Sequence, residues 1–177
     1  MKSSVINGIV FALLLIATPV FGQWNNLSVG IIGTNFQNIS NDNRLSEVDN
    51  PMSYGVILGY KVDETLSVAL TGEYFKDDIE NITGTERNIR THLSAVFTPF
   101  HTQTLIPYLS FGLVYTNRNL DYANSRKETK NLINGRLGLG LDYPVFRNIS
   151  LNADLGLYTD GYNVVGWSNS LGLRYSL

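Results

Sequence analysis

Two residues near the middle of the chain, His92 and Ser94, are of the types that form a nucleophilic catalytic pair. A histidine within hydrogen-bond reach of a serine can accept its hydroxyl proton, which makes the oxygen a nucleophile. Side chains two positions apart on a β-strand point to the same face, so a strand would bring the two together. The sequence places no aspartate or glutamate to orient the histidine, and two members of a triad are a weak signal. We therefore predict no catalytic residues.

Other residues with ligand chemistry are scattered rather than grouped. The chain has no cysteine, and His101 has no second histidine nearby, so a zinc site is not indicated. Two acidic clusters lack the regular spacing of a calcium-binding loop, and solvated loop charge is the simpler interpretation. They comprise Asp42, Glu47, Asp49, Asp77, Asp78 and Glu80. A formal net charge of -2 does not indicate nucleic acid as a partner. We predict no metal and no cofactor.

The beginning of the chain has the layout of a secretory signal peptide. Lys2 gives a positive start, residues 9–16 form an unbroken apolar run, and Val20 and Gly22 are small residues just before Gln23. The apolar run is too short for a transmembrane helix, which needs roughly 20 residues. We expect cleavage after Gly22, which leaves a signal peptide at 1–22 and one mature domain at 23–177, or 155 residues (177 minus 22).

From residue 24 onward, apolar and polar residues alternate with a period of two, which is typical of β-strands. In the clearest segment, one face carries Tyr54, Val56, Leu58, Tyr60 and Val62, and the other carries Ser53, Gly55, Ile57, Gly59 and Lys61. Similar segments follow, and the last has an apolar row of Val165, Trp167, Leu171, Leu173, Tyr175 and Leu177. With a first strand through Leu27, Val29 and Ile31, the pattern predicts eight strands.

The connections between these segments alternate in length. Short ones lie near residues 63–65, 99–104 and 144–148, and longer, Asn-rich ones cover residues 37–50, 76–87 and 119–130, with a brief last one at 160–162. Short turns at one rim and longer loops at the other are typical of outer-membrane barrels. We predict an all-β fold, an eight-stranded antiparallel up-and-down transmembrane barrel.

The contents of the two strand faces favour a membrane barrel over a soluble one. The polar face is rich in glycine. Glycine does not stabilise a strand that faces water, but its small size suits the narrow interior of an eight-stranded barrel. These glycines are Gly55, Gly59, Gly112, Gly138, Gly140, Gly156 and Gly172. The apolar face carries aromatic residues near the strand ends, as expected for girdles at the two bilayer interfaces. The predicted girdles are Tyr60, Phe97, Tyr143 and Tyr175 on the turn side and Tyr54, Tyr74, Tyr115 and Trp167 on the loop side.

The signal peptide, the eight alternating segments and the ending at residues 171–177 resemble the small eight-stranded outer-membrane proteins of the OmpA, OmpX and opacity-protein kind. The resemblance covers essentially the whole mature chain and is architectural. Leu177 stands where many members end in Phe, although Tyr175 keeps an aromatic residue two positions earlier. We expect no peptidoglycan-binding domain, so a wall-anchoring role is not implied. The resemblance implies location in the outer membrane of a Gram-negative bacterium, contact with its lipid, and insertion by the barrel-assembly machinery.

Charged residues on the predicted lumen face form a polar network. Symmetric closure of the 76–87 loop places Glu73 opposite Arg90, where the two charges would pair. Counting from a turn near Phe146 places Asp154 opposite Gly138, with Arg136 as its diagonal neighbour. Asp142 and Arg174 lie nearer the turn side. The network is interpreted as a filled interior rather than a pore lining, since a lone buried ion is costly and eight strands leave little lumen.

Function in such a barrel is expected on its loops. The leading hypothesis is a non-enzymatic protein, structural or binding an unknown surface ligand through residues 37–50, 76–87 and 119–130. The alternatives are a narrow pore and a lipid A-modifying enzyme, because the spacing of His92 and Ser94 is also that of outer-membrane lipid A deacylases. That pair is predicted to face the lumen, however, whereas an acyl chain would arrive from the lipid side.

Overall fold

A computed structural model describes residues 26–39, 46–48, 50–79, 84–100, 104–123 and 127–177. The predicted signal peptide at 1–22 lies outside these residues. Eight antiparallel strands form one closed barrel in chain order, which confirms the predicted eight-stranded up-and-down barrel. The strands are β1 (Leu27–Asn38), β2 (Met52–Lys61), β3 (Leu66–Asp78), β4 (Gly84–Phe97), β5 (Ile106–Tyr122), β6 (Lys127–Phe146), β7 (Ile149–Asp160) and β8 (Asn163–Ser176). Within the described ranges, no helix has the length and apolar character needed to cross a bilayer.

One rim, here called the turn end, carries the connections 62–65, 98–105 and 147–148. In the first of them, Asp63 accepts hydrogen bonds from the backbone N–H groups of Thr65 at 2.7 Å and Leu66 at 2.8 Å. These bonds lower the pKa of Asp63 below its ordinary value of 3.8. The predicted turn at 144–148 is shorter than expected, because β6 continues to Phe146 with a register shift between Pro144 and Phe146.

The bulky apolar side chains point away from the barrel axis. Leu139 is 57% exposed, whereas Asn152 on the neighbouring strand is 2% exposed and points inward. On β6 the outward apolar row runs from Ile133 to Tyr143. At about 3.3 Å per residue and a tilt of roughly 40°, ten residues span about 25 Å along the membrane normal, the height of the apolar band of an outer-membrane barrel.

At the opposite rim, the loop end, two predicted loops are largely strand. β3 continues to Asp78 and β4 begins at Gly84, so the predicted 76–87 loop shortens to 79–83. Likewise, the predicted 119–130 loop shortens to 123–126. Polar side chains on the outer face join β5 to β6 in this second region: the Asn117 side chain donates to Asn131 Oδ1 at 2.8 Å, and the Thr129 hydroxyl donates to Asn119 Oδ1 at 2.8 Å.

These extensions carry four strands past the rest of the barrel. β7 ends at Asp160 and pairs with β6 only from Gly135 onward, although β6 begins at Lys127. We call the part of β3–β6 formed by residues 75–78, 84–88, 117–122 and 127–134 the protruding sheet. This sheet extends beyond the loop end and is continuous with the barrel wall.

One residue of the predicted outward rows points into the barrel. Val165 is 0% exposed, and the register shifts at this position, so that Tyr158 faces Gly166 while Thr159 faces Val164. The extra residue forms a bulge, which turns the Val165 side chain to the other face of the sheet. The prediction that Val165 lies on the lipid side is therefore wrong.

Candidate functional site

The lumen is open at the turn end and filled toward the loop end. A cavity of about 280 Å³ at the turn end is lined by Lys61, Glu64, Asp142, Arg147 and Arg174 among others. A second cavity of about 50 Å³ lies deeper, and both are lined by Ala69, Val96 and Arg174. Beyond the smaller cavity, charged and then apolar side chains occupy the axis.

Asp154 is the centre of the first polar layer. It forms an ion pair with Arg136 and accepts a hydrogen bond from the Tyr108 hydroxyl at 3.3 Å. Arg136 also donates to the Ser110 hydroxyl at 3.1 Å. A Cβ at Gly156 would lie 2.7 Å from the Arg136 guanidinium, so this glycine makes room for the buried cation.

The predicted register of this layer is wrong by two residues. Asp154 lies opposite Gly140 rather than Gly138, and Arg136 lies opposite Tyr158. The turn lies at residues 147–148, beyond the predicted centre near Phe146, and the one-residue register shift at the end of β6 offsets only part of this difference. Arg136 nevertheless reaches Asp154, four positions along β7 from its direct partner Tyr158, because its long side chain passes over Gly156, which has no side chain.

A chain of hydrogen bonds continues from this layer toward the turn end. Asn152 donates to the Tyr108 hydroxyl at 2.8 Å and to Asp142 at 2.8 Å. Arg174 in turn donates to Asp142 at 3.1 Å. The structure thus places Asp142 and Arg174 together at the inner wall of the larger cavity.

Glu73 is held by side chains from the two preceding strands, β1 and β2. It accepts hydrogen bonds from the hydroxyls of Ser53 at 2.8 Å and Thr34 at 3.2 Å. The register places it opposite Arg90, as the sequence predicts. His92 Nε2 lies 3.9 Å from Glu73 Oε1, so an acid does lie beside this histidine, contrary to the expectation from sequence.

His92 and Ser94 are both buried in the lumen. The His92 ring meets the Tyr158 ring edge-on, with 6.2 Å between centroids. The smaller cavity, lined by both His92 and Ser94, holds about 50 Å³, roughly the space of one or two waters. An acyl chain does not fit there.

Above the polar layers lies an apolar layer that the sequence analysis missed. Phe36, Val114, Tyr158 and Val165 are all buried and in one cluster. The Phe36 and Tyr158 rings lie 5.6 Å apart, and the Arg90 guanidinium carbon lies 3.5 Å above the centre of the Phe36 ring. The period-two pattern places Phe36 on an inward position, and it is the feature of the sequence that indicates an aromatic side chain in the lumen. The layer closes the lumen with hydrocarbon.

The mouth at the loop end is covered by part of the first connection. Glu86, which is 0% exposed, accepts hydrogen bonds from the Ser46 hydroxyl at 3.1 Å and the Glu47 backbone N–H at 2.7 Å. The Glu47 carboxylate lies 3.3 Å from the buried Arg118 guanidinium. The interpretation of Glu47 as solvated loop charge is therefore wrong, and Asp42 and Asp49 lie outside the described residues.

The aromatic residues predicted as girdles are on the outer face. Tyr54 and Tyr74 are direct neighbours on β2 and β3, and the Tyr115 hydroxyl donates to Asn131 Oδ1 at 2.9 Å. Six of the eight are exposed and two are half-buried: Tyr54, Tyr74, Phe97, Tyr115, Tyr143 and Tyr175, then Tyr60 and Trp167. Their role at the bilayer interfaces stays a prediction.

Comparisons with known proteins agree with this architecture. A protein-family model described as "Outer membrane protein beta-barrel domain" matches residues 8–176, whereas no curated protein sequence matches the chain. The N-terminal β-barrel domain of Pseudomonas aeruginosa OprF is 22% identical with a TM-score of 0.61, over 84% of this chain and 96% of that chain. Neisserial surface protein A is 19% identical with a TM-score of 0.63, over 85% and 97%. Pseudomonas aeruginosa OprG is 16% identical with a TM-score of 0.64, over 85% and 95%.

At these identities the solved structures show the shared fold, and the family match spans most of the chain. In such barrels the chain extends further on the exterior than on the periplasmic side. Here the 39–51 connection and the extensions of β3–β6 lie at the loop end, which therefore faces the exterior. The chain belongs to the outer membrane protein β-barrel domain family, and it is an outer-membrane protein of a Gram-negative bacterium.

Proposed function

We propose that this protein is a non-enzymatic surface protein that binds an extended polypeptide segment through its protruding sheet. The observation that carries the proposal is the length of β5 and β6, which run to Tyr122 and from Lys127 while β7 ends at Asp160. On the cell exterior, this extension displays strand surface beyond the apolar row of β6, which ends at Ile133. We also propose that residues 1–22 are the signal peptide that directs export.

The unpaired edge of β6 provides the backbone groups that bind the segment. Among the described residues, no strand pairs with β6 at 129–133 on the side away from β5. An unpaired strand edge presents backbone N–H and C=O groups that a second strand can join, with side-chain contacts adding specificity.

Membrane geometry disfavours a second copy of the chain as the partner. Two copies in one membrane would be related by an axis along the membrane normal, so strands tilted by 35–45° would cross at roughly 70–90°. Neighbouring strands in a sheet differ by only about 20–25°. A segment of a different polypeptide can take the required direction freely, so it is the better occupant of this edge.

The filled lumen supports a binding protein rather than a pore. A conducting path would have to pass both the Arg136–Asp154 pair and the layer formed by Phe36, Val114 and Tyr158. The burial of His92 and Ser94 beside a cavity of about 50 Å³ likewise supports a non-enzymatic role. Lipid A cannot bring an acyl chain to that pair without opening the barrel wall.

The test removes the unpaired edge of β6. Tyr115 and Ile133 already face each other, so residues 116–132 can be replaced by Asn-Gly, which closes a two-residue hairpin. A random-peptide phage library is selected on the full protein in nanodiscs, and binding of the selected peptides is then measured for both proteins. Tyr162→Ala, on the fully exposed β7–β8 connection, is the control.

We expect selected peptides to bind the trimmed variant at least about tenfold more weakly and to bind Tyr162→Ala normally, since a few strand hydrogen bonds are worth this much. Peptides that bind all three proteins equally would contradict the proposal. A large, steady conductance of the wild type in planar bilayers would favour the narrow pore instead.

A further inference from the structure

The outer face of the barrel changes from apolar to polar along a sharp line at the extracellular side. On β5, β6 and β7, the first polar residues beyond the apolar rows are Asn117, Asn131 and Thr159, all uncharged. On β3 and β4, the equivalent residues are Lys76 and Arg87. Positive charge at this level is thus concentrated on one sector of the wall.

Lys76 and Arg87 lie directly opposite each other in the β3–β4 register, and both are exposed. Directly opposed residues have Cβ atoms about 4.5–5.5 Å apart, and like charges at that distance are unfavourable. Asp121 compensates only in part: it lies 3.2 Å from Arg87 Nη2 but also 3.8 Å from the Lys127 ammonium. The remaining outward acid of this sector, Asp78, accepts a hydrogen bond from Thr85 at 3.2 Å. Three cations against two anions leave a net positive charge.

The position of Lys76 and Arg87 along the membrane normal indicates which group supplies the negative charge that would balance them. Lys76 and Arg87 are two positions beyond Tyr74 and Ile89, which face each other at the edge of the apolar band. Two residues rise about 7 Å along a strand, or about 5 Å along the membrane normal at the usual tilt. This is the level of the lipid headgroups. The guanidinium group can bind a phosphate with two parallel hydrogen bonds, and the ammonium adds a mobile point charge.

We propose that Lys76 and Arg87 form a binding site for the phosphate group of an outer-leaflet lipid. The site is on the outer face of β3 and β4, at the base of the protruding sheet, and it does not depend on what the unpaired edge of β6 binds. A lipid held there neutralises the opposed cations and fixes the depth of the barrel at its extracellular edge.

The test counts lipids that stay bound to the purified protein. The full chain is titrated in detergent with lipid A carrying two phosphates, or with the same lipid after phosphate removal, and bound lipid is counted by native mass spectrometry. Lys76→Gln/Arg87→Gln removes the site. Lys61→Gln/Arg147→Gln is the matched control, because it removes one exposed lysine and one exposed arginine at the turn end.

We expect Lys76→Gln/Arg87→Gln to bind the phosphorylated lipid about fivefold to thirtyfold more weakly than wild type, the range for one or two cations at a charged membrane surface. The control variant should bind as wild type does, and the dephosphorylated lipid should bind all three proteins equally weakly. Equal binding of phosphorylated lipid by both double variants would overturn the site. Displacement of the lipid by equimolar inorganic phosphate would show a free-anion site and overturn the lipid assignment.

Discussion

A methyl group added at Gly112 tests the packing of the barrel wall. Gly112 lies on β5 with its missing side chain toward the lumen, and a Cβ there would lie 2.1 Å from the Leu93 carbonyl oxygen and 2.8 Å from the Ser94 Cα. Both contacts are with backbone atoms of the paired strand, which cannot rotate away. Gly72, on the outer face of β3, has no atom within 4 Å of its would-be Cβ and provides a matched control.

The two substitutions should change stability in opposite directions. Replacing glycine by alanine where the backbone permits it stabilises a protein by about 0.4–1 kcal/mol, because the unfolded chain loses freedom. Forcing extra volume into a packed site costs about 1–3 kcal/mol. We therefore expect Gly112→Ala to lower the free energy of unfolding by about 1–2 kcal/mol, and Gly72→Ala to leave it unchanged or raise it slightly.

The measurement is equilibrium unfolding by denaturant in lipid vesicles, followed by tryptophan fluorescence. A lower midpoint for Gly112→Ala with an unchanged slope would report a loss of stability rather than a change in the folded state. If Gly112→Ala proved as stable as wild type, or if Gly72→Ala fell by the same amount, the argument from strand contact would be refuted.

Three further predictions test the charged residues. Asp154→Asn should lower the free energy of unfolding by about 3 kcal/mol, because it leaves a buried cation without its anion. Arg136→Met/Asp154→Leu should recover most of this loss, because it removes both charges. A double variant that is less stable than Asp154→Asn would contradict this. Asp63→Ala should destabilise the barrel at neutral pH, where the carboxylate accepts its hydrogen bonds. Because the pKa of Asp63 is lowered by folding, this difference from wild type should be fully present above pH 3.8 and vanish as the pH falls through the folded-state pKa; a difference constant with pH would exclude the linkage. Arg90→Ala should refold less stably and show no large channel in planar bilayers, since the apolar layer remains; a large, stable wild-type conductance would contradict the closed lumen.

The sequence predicts the register of two paired strands only where it also predicts the position of the turn between them. Glu73 faces Arg90 because the β3–β4 connection closes symmetrically, which a count from its centre captures. The count misplaces Asp154 because the turn before β7 consists of residues 147–148 and is not centred near Phe146, and the one-residue register shift within β6 offsets only part of this difference. Such a shift depends on how the backbone bends at one residue, and it leaves no mark in the alternation. The same holds for the bulge that turns Val165 inward.

The protruding sheet was not predictable from alternation for a different reason. Within the bilayer, a strand has lipid on one face and the lumen on the other, so its residues alternate in polarity. Beyond the bilayer the outer face meets headgroups and water, and residues such as Asn117, Asn119 and Thr129 satisfy it by hydrogen bonding along and across the strands. The difference in polarity between the two faces of the strand is lost there, although the pairing of the strands continues. Loss of alternation therefore does not mark the end of the strand, which is why β3 and β4 stay paired through Lys76 and Arg87 although the sequence suggested a loop there.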